Sequence, residues 1–317
     1  MHLDIGVRDA SPAAALETAA RAERDGFDGV QFPELAHDPL ISSALAASAT
    51  KRIHVATSIA VAFARNPMTI AQAANDVQLA GEGRFSLGLG SQVKPHIEKR
   101  FSMPWSAPAP RMREFIGAVR AIWHAWETGE KLSVRGDHYT HTLMTPMFSP
   151  GPNPFGTPDI WLAAVGPAMT RLAGEAADGF IAHAFTTPDY LREVSLPALA
   201  EGRQRSEREA TDVIVTPFVV TGSTAAERAH MEREVRKQIA FYGSTPSYRA
   251  VMELHGWEDT ADALHAASRR GEWAEMGGLI TDDMMTAFAT FCEPHAIRDA
   301  LTERFGAVAA RASVALP

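Results

Sequence analysis

Across residues 1–90 the apolar positions fall into two alternating kinds of segment, short strand-like runs and longer stretches with helical spacing. The first pair is the clearest. "HLDIGV" reads as a strand; Ser11 then stands where an N-cap belongs, Pro12 at the first helical position, and Leu16, Ala19, Ala20 and Glu23 pace a helix that Gly26 stops. The next apolar run, "DGVQF", follows within a few residues. The same opening, a small or polar residue followed by proline, recurs at Asp38-Pro39, Asn66-Pro67, Gly166-Pro167, Thr187-Pro188, Thr245-Pro246 and Glu293-Pro294, so seven helix starts are predicted.

Between these openings the pattern predicts eight strands, near residues 2–7, 28–32, 53–59, 84–89, 159–164, 180–183, 213–221 and 310–315. Strands alternating with helices imply right-handed parallel crossovers, and this many units favour an α/β fold of the closed (β/α)8 TIM-barrel type over an open doubly wound sheet. Two stretches break the rhythm and are read as insertions after strands four and seven. Residues 91–110 form a long loop with Phe101, Met103, Pro104 and Trp105, and residues 225–285 are helical. Each is expected to make either a lid or pocket wall at the barrel rim or a contact in a homodimer. "FSPGPNPFGTP" at 148–158 reads as a rigid connector feeding strand five.

Composition narrows the partners. With 317 residues, 46% hydrophobic and 21% charged, the chain is long and apolar enough for a sizeable core and is expected to fold as one domain over 1–317. A formal charge of -8 without any Lys/Arg block argues against nucleic acid or an anionic membrane surface and for a small-molecule substrate. Cys292 is the only cysteine, which excludes an internal disulfide and a cysteine-based zinc site and fits a reducing cytoplasm. The N-terminus lacks the basic region of a signal peptide, and no segment is apolar enough to span a bilayer.

In a barrel the chemistry lies where strands end and helices begin. That rim collects Glu34 and His37 after strand two, Ser58 and Ile59 at strand three, Gly90 to His96 after strand four, Val165 to Met169 after strand five, and His183 after strand six. Glu34, His37, His96 and His183 are candidates for proton transfer or for hydrogen bonds to a polar ring. Gly166 and Pro167 open a helix whose free N–H groups suit an anion, although the same two residues serve an ordinary helix start equally well. "RFSLGLGSQVKPH" puts Gly88 and Gly90 in a strand-end turn where backbone can be approached closely, but it lacks the third glycine of a dinucleotide fingerprint.

Other chemistries find less support. His54, inside an apolar strand, reads as a core histidine. His138 and His141 in "GDHYTHTL" are spaced to hold a metal, yet the run reads as a hairpin, no third ligand is evident, and strand one has no histidine pair, so a metal-dependent hydrolase is the minority reading and no metal is expected. There is no G-x-S-x-G elbow, and Cys292 has no evident base.

The motifs "DGVQFPELAHDP", "ATSIAVAFARNPM", "GRFSLGLGSQVKPHI", "RFSMPWSAPAPRMREF", "AAVGPAMTRLAGEAADGFI", "QIAFYGSTPSYR", "LHGW" and "RRGEWAEMGGLITD" together resemble the luciferase-like superfamily of flavin and deazaflavin oxidoreductases. Within it the resemblance is closest to the actinobacterial-type group of coenzyme F420-dependent oxidoreductases. It implies a cofactor ring seated in the barrel mouth with its phosphate near helix starts. The matching cofactor positions are Ser58, Ile59, Gly90, His96, Val165, Gly166 and His183, with Pro167 beside the phosphate and Gln92 to His96 along the ring edge. The resemblance also implies a cis peptide between Ser58 and Ile59. One departure matters. Where the family's sugar-phosphate dehydrogenases carry an Asp-His pair and a glutamate, this chain has Pro33-Glu34 and Val93, so glucose phosphate is not the expected substrate and any proton transfer falls to Glu34, His37 or His96. The implied activity is hydride transfer between F420 and a carbonyl, alcohol, imine or activated alkene. The alternatives are an FMN-dependent monooxygenase fed reduced flavin and a barrel that binds a cofactor or ligand without turnover.

Overall fold

The computed structural model describes residues 1–208 and 211–315. Eight parallel strands follow one another around a closed ring: β1 (His2–Gly6), β2 (Gly29–Phe32), β3 (His54–Thr57), β4 (Phe85–Gly90), β5 (Asp159–Ala164), β6 (Gly179–Ala182), β7 (Asp212–Val215) and β8 (Arg311–Val314). Closure comes from β8 pairing back onto β1, His2 opposite Arg311 and Ile5 opposite Val314. The expected TIM-type barrel is therefore the fold, and the open-sheet alternative falls.

The proline openings work as the local chemistry dictates at the first three helices. Ser11, Asp38 and Asn66 each accept a backbone N–H of the first turn, starting α1 (Pro12–Arg24), α2 (Pro39–Ala49) and α3 (Pro67–Ala80). Gly166-Pro167 starts α5 (Pro167–Ala176) with no side-chain cap at all. At Thr187 the capped turn Pro188–Tyr190 runs through a wider turn into a helix over Leu196–Ser206. Two openings differ from expectation. Thr245 and Glu293 make no cap bond, and each proline there begins a three-residue 3₁₀ turn before the α-helix that follows. An eighth opening, Ala107-Pro108, begins α4 (Pro108–Thr128), the longest helix among the described residues, so the expected loop over 91–110 ends before Pro108.

Two predicted strands are shorter than the pattern implied. The run 213–221 is interrupted at Pro217, which has no N–H to give a ladder. Its first part is β7, while Phe218–Val220 leaves the barrel and pairs with Ala289–Phe291 in a separate two-stranded sheet. The run 53–59 stops as β3 at Thr57 and resumes as Ala60–Val61. Ala56 pairs with Ser86 but Ala60 with Leu89, so β3 carries one residue more than β4 across this gap, which makes a bulge. The Ser58–Ile59 peptide inside it is cis, as the resemblance led one to expect.

The lower interior of the barrel is polar and filled. Asp4, fully buried, takes hydrogen bonds from Arg311 and from Gln31 at 2.8 Å, while His54 meets Ser86 at 3.1 Å and stacks on Trp161 at 5.4 Å. His54 is thus the satisfied core histidine its apolar strand suggested, its pKa pushed down to about 3 by burial and then by the charge of Arg311. Above this layer Ala56, Trp161, Ile181 and Ile214 form an apolar floor, with Ile59 and Ala163 packed on it.

Outside the barrel, the chain between β7 and β8 builds a second apolar cluster. Helix α7, which we define as Ala225–Gly243, begins at a full capping box of Thr224 and Glu227. Met231, Ile239, Met252, Leu264, Met284 and Phe288 from this region close over Phe185 and Phe218, which come from the ends of β6 and β7. The segment forms a wall over the residues that follow β6 and β7. Phe101, Met103 and Trp105 behave likewise after β4: they pack half-buried on the main core, Trp105 edge-on to Phe63 at 6.0 Å.

Candidate active site at the barrel mouth

Side chains along a strand point alternately in and out, so an inward residue identifies the one two places on as facing the mouth. Gly88 and Ile181 are inward, since a Cβ on Gly88 would lie 3.2 Å from Ile181 Cδ1. Ala163 and Ile214 are inward because both belong to the floor. Gly90 continues this alternation within β4, while Val165, His183 and Thr216 are the first residues after β5, β6 and β7. The bulge in β3 adds Ile59, whose side chain fills the space that Gly90 leaves: a Cβ there would stand 2.8 Å from Ile59 Cδ1 and Cγ1. Adjacent strands β3, β4, β5 and β6 therefore present Ile59, Gly90, Val165 and His183 in one arc.

The glycine pair in "SLGLG" has a definite structural cause. Any Cβ on Gly88 would fall 1.9 Å from the carbonyl oxygen of Thr57, whose own hydroxyl donates to Gly88 O at 2.7 Å. The glycines let β3 lie close against β4, and Gly90 yields its volume to an apolar side chain. Ser58 and Ile59 are half-buried, leaving a surface accessible from the mouth.

Next along the arc, Val165 and Gly166 are half-buried and Pro167 and Ala168 exposed. A side chain on Gly166 would meet open space, so the first N–H groups of α5 are not covered from that direction. Uncapped N–H groups at the positive end of a helix dipole suit an anion.

The proton-transfer candidates are less free than the sequence suggested. Glu34 is 7% exposed, and its Oε2 accepts from Arg65 Nη1 and, at 2.7 Å, from the Val61 backbone N–H. Arg65 also reaches Asp38 at 2.7 Å. This carboxylate ties the end of β2 to the bulge of β3. His37 is exposed, and His96 is exposed in a single wide turn, His96–Arg100, anchored by buried Ile97. Arg100 donates to the Leu35 carbonyl, which brings that turn against the β2–α2 loop. Among the described residues no hydrogen bond or ion pair links Glu34, His37 and His96 to one another. Gln92 sits in the left-handed region at φ 58°, and its side chain folds back to accept the Val93 N–H at 3.0 Å.

His183 departs most from its expected role. Its Nδ1 accepts the Phe185 N–H at 3.0 Å, and its Nε2 lies 3.2 Å from Tyr248 Oη. The ring is held between Tyr242, edge-on at 4.7 Å, and Tyr248, stacked at 4.6 Å. Burial pushes its pKa down to about 4, so it is neutral at pH 7. Both nitrogens are engaged within the protein, which leaves the ring no free polar edge for a ligand. Tyr248 lies 65 residues away on the 3₁₀ turn after α7, a separation that sequence pattern does not bridge. Its only sequence signal was "FYGSTPSYR".

Among the described residues no group of three or more His, Cys, Asp or Glu is placed to hold a metal. His138 lies in the hairpin between Val134–Arg135 and Thr140–His141, its N–H bonded to Glu114. Cys292 is half-buried, and burial raises its thiol pKa. A cavity of about 500 Å³ opens away from this arc, beside Leu3, Phe27 and Arg298.

A closed barrel with this rim and the motif set agrees with comparison to known proteins. Residues 2–311 match the luciferase-like monooxygenase family. The chain belongs to that family. It is 52% identical over 294 residues to the uncharacterized protein Rv1360 of Mycobacterium tuberculosis, covering 92% of this chain and 86% of that one. It is 29% identical over 276 residues to the 5,10-methylenetetrahydromethanopterin reductase of Methanolobus tindarius, covering 86% and 80%. Among solved structures, the coenzyme F420-dependent tetrahydromethanopterin reductase of Methanopyrus kandleri superposes with a TM-score of 0.80 at 20% identity, covering 100% of this chain and 93% of that one. The oxygenating constituent of 3,6-diketocamphane monooxygenase from Pseudomonas putida, in complex with FMN, superposes at 0.69 and 17%, covering 99% and 91%. As a member of the luciferase-like family, the protein is an oxidoreductase. No helix among the described residues is long and apolar enough to cross a membrane.

Proposed function

We propose that the protein is an F420-dependent oxidoreductase that moves a hydride between the deazaflavin and a small organic substrate, a carbonyl, alcohol, imine or activated alkene. The observation that carries this reading is the arc itself: an apolar, half-buried Ile59 beside the space left by Gly90, followed by the open start of α5. A flat ring with an anionic tail fits that chemistry. Ile59 and Val165 would hold the ring by apolar contact, Gly90 would leave room for Ile59 to reach it, and the backbone N–H groups of Gly166 and of Ala168 and Met169, just after Pro167, would take the phosphate. The relatives that carry F420 in their names support the deazaflavin over FMN.

When bound, the deazaflavin supplies the hydride donor or acceptor. The chain's part is placement and exclusion of water, which needs neither a nucleophile nor a metal ligand. Glu34 orients the β3 bulge through Arg65 and the Val61 N–H. His96 and His37 are the exposed imidazoles near the rim, and His96→Ala is expected to weaken cofactor binding without unfolding the protein. Val93, half-exposed where the sugar-phosphate dehydrogenases have a glutamate, can neither give nor take a proton, which argues against that substrate here.

The test is direct titration of the purified protein with F420 and with FMN, read by quenching of cofactor fluorescence. Tighter binding of F420 is expected. Equal affinity for both, with oxygen consumed on adding reduced FMN, would replace this reading with an FMN monooxygenase; binding of neither would leave a barrel with another ligand.

A further inference from the structure

Hydrogen-bond direction at His183 determines what Tyr248 can do. A neutral imidazole has one donor and one acceptor nitrogen. The Phe185 N–H points at Nδ1 over 3.0 Å, so Nδ1 must be the acceptor and the ring proton must sit on Nε2. Nε2–H then donates to Tyr248 Oη, 3.2 Å away. The hydroxyl receives this bond, and its own hydrogen is left to be given elsewhere. Among the described residues Tyr248 Oη makes no other hydrogen bond.

Position adds to this. His183 is the first residue after β6, two places beyond Ile181 of the floor, and Tyr248, half-buried, stacks on it from the segment that follows α7. The other inward positions of the arc, Gly90 and Val165, have no polar side-chain atom. Burial also raises the Tyr248 pKa to about 12, so the phenol keeps its proton throughout the neutral range.

We propose that the Tyr248 hydroxyl, oriented by the His183 Nε2–H, is a hydrogen-bond donor to an oxygen of the cofactor bound in the mouth. The inference rests on the deazaflavin reading above. The acceptor is either a carbonyl oxygen of the ring or a phosphate oxygen of the tail, and both present the same lone-pair chemistry. His183 is then a positioning residue, and Tyr248 the group that meets the ligand.

Tyr248→Phe keeps the stacked ring and removes the donor alone. Fluorescence titration should show F420 binding about 3- to 10-fold weaker, the range expected for one neutral hydrogen bond. A parallel titration with the deazaflavin chromophore lacking its phosphate tail assigns the acceptor: the loss persists if the oxygen is on the ring and vanishes if it is on the tail. Tyr242→Phe, which alters the same aromatic cluster, should leave both affinities unchanged. Unaltered F420 affinity in Tyr248→Phe would overturn the proposal, and so would an equal loss in Tyr242→Phe, which would mark a packing effect. Nitrogen-15 spectra of the free protein at pH 7 supply a second readout. They should show His183 protonated on Nε2, and a proton on Nδ1 would overturn the assignment whatever the titrations gave. If the unaltered protein binds no F420, the deazaflavin reading itself is wrong and this inference goes with it.

Discussion

Replacing Gly90 with alanine tests how the ring seat is built. The new Cβ would stand 2.8 Å from Ile59 Cδ1 and Cγ1 but 3.6 Å from Ile59 Cβ. Nothing in the backbone blocks it, and Gly90 does not lie at positive φ, so the whole conflict is with the distal carbons of one side chain. Ile59 is half-buried and can turn aside, at the cost of an unfavourable rotamer and of its packing on the apolar floor. Overpacking of this kind costs about 1–3 kcal/mol, and the open side of Ile59 puts the expectation at the lower end, about 1–2 kcal/mol. In an Ile59→Ala background the distal carbons are gone, and the nearest remaining atom is at ordinary contact distance. There Gly90→Ala should cost nearly nothing, or even stabilise by about 0.5 kcal/mol through the less flexible unfolded chain. Urea unfolding of the four proteins of this cycle should thus give a coupling energy of about 1–2 kcal/mol between the two sites. F420 titration on the same proteins should show Gly90→Ala weakening binding, because Ile59 has left its place. A Gly90→Ala cost that is the same in both backgrounds would refute the reasoning. Gly88→Ala is the contrast: its Cβ would meet the Thr57 carbonyl oxygen at 1.9 Å, which is backbone and cannot turn aside, so no change at Ile59 should rescue it.

Two further outcomes concern stability. Burial holds the pKa of His54 to about 3 and of His183 to about 4, against an ordinary 6.5, so on acidification the unfolded chain takes up these protons first. Stability present above pH 6.5 should then fall toward pH 4 by roughly 1.4 kcal/mol per unit for each histidine; urea unfolding of the native protein and of His54→Gln should show a shallower slope in the variant, and equal slopes would mean that His54 titrates normally. Arg311→Met leaves the fully buried Asp4 without its cation, which should cost about 3–5 kcal/mol in urea unfolding. A loss under about 1 kcal/mol would show that water reaches the carboxylate.

The barrel was legible because its signals are local. Ser11-Pro12, Asp38-Pro39 and Asn66-Pro67 carry both the capping side chain and the fixed φ of a helix start, and all three are helix starts. The capping half is not indispensable, since Gly166-Pro167 and Ala107-Pro108 start α-helices without it, whereas Thr245 and Glu293, whose side chains make no bond to the first turn, lead into 3₁₀ turns. The arc of Ile59, Gly90, Val165 and His183 could be placed at the rim from strand ends together with the family resemblance. What these residues touch could not. Glu34 reads as a free carboxylate until Arg65 is brought to it from 31 residues away, and His183 as a ligand for the cofactor until Tyr248 arrives across 65. Such partners are set by tertiary packing, to which hydrophobic periodicity is blind.

The inward positions of successive strands explain why the mouth, rather than some other part of the barrel, is suited to a flat ring. Along β4 they run Ser86, Gly88, Gly90, and along β5 Trp161 and Ala163 with Val165 just beyond its end, so on these strands bulk or hydrogen-bonding capacity is concentrated low in the barrel. On β1, Asp4 gives way to Gly6. The lower layers are filled by the Asp4, Arg311 and Gln31 network and by His54, which stacks on Trp161 of the apolar floor, and these contacts carry stability. Along β4 and β5 the side chains shrink above them, and the space they vacate is what Ile59 enters and what a ligand would meet. The seat is therefore made by subtraction, with backbone and aliphatic carbon as its surface, and such a surface selects by shape and holds the reacting faces together. Polar selection at the mouth must come from elements outside the strands. On the β6 side that element is Tyr248, delivered by the wall that the chain builds between β7 and β8.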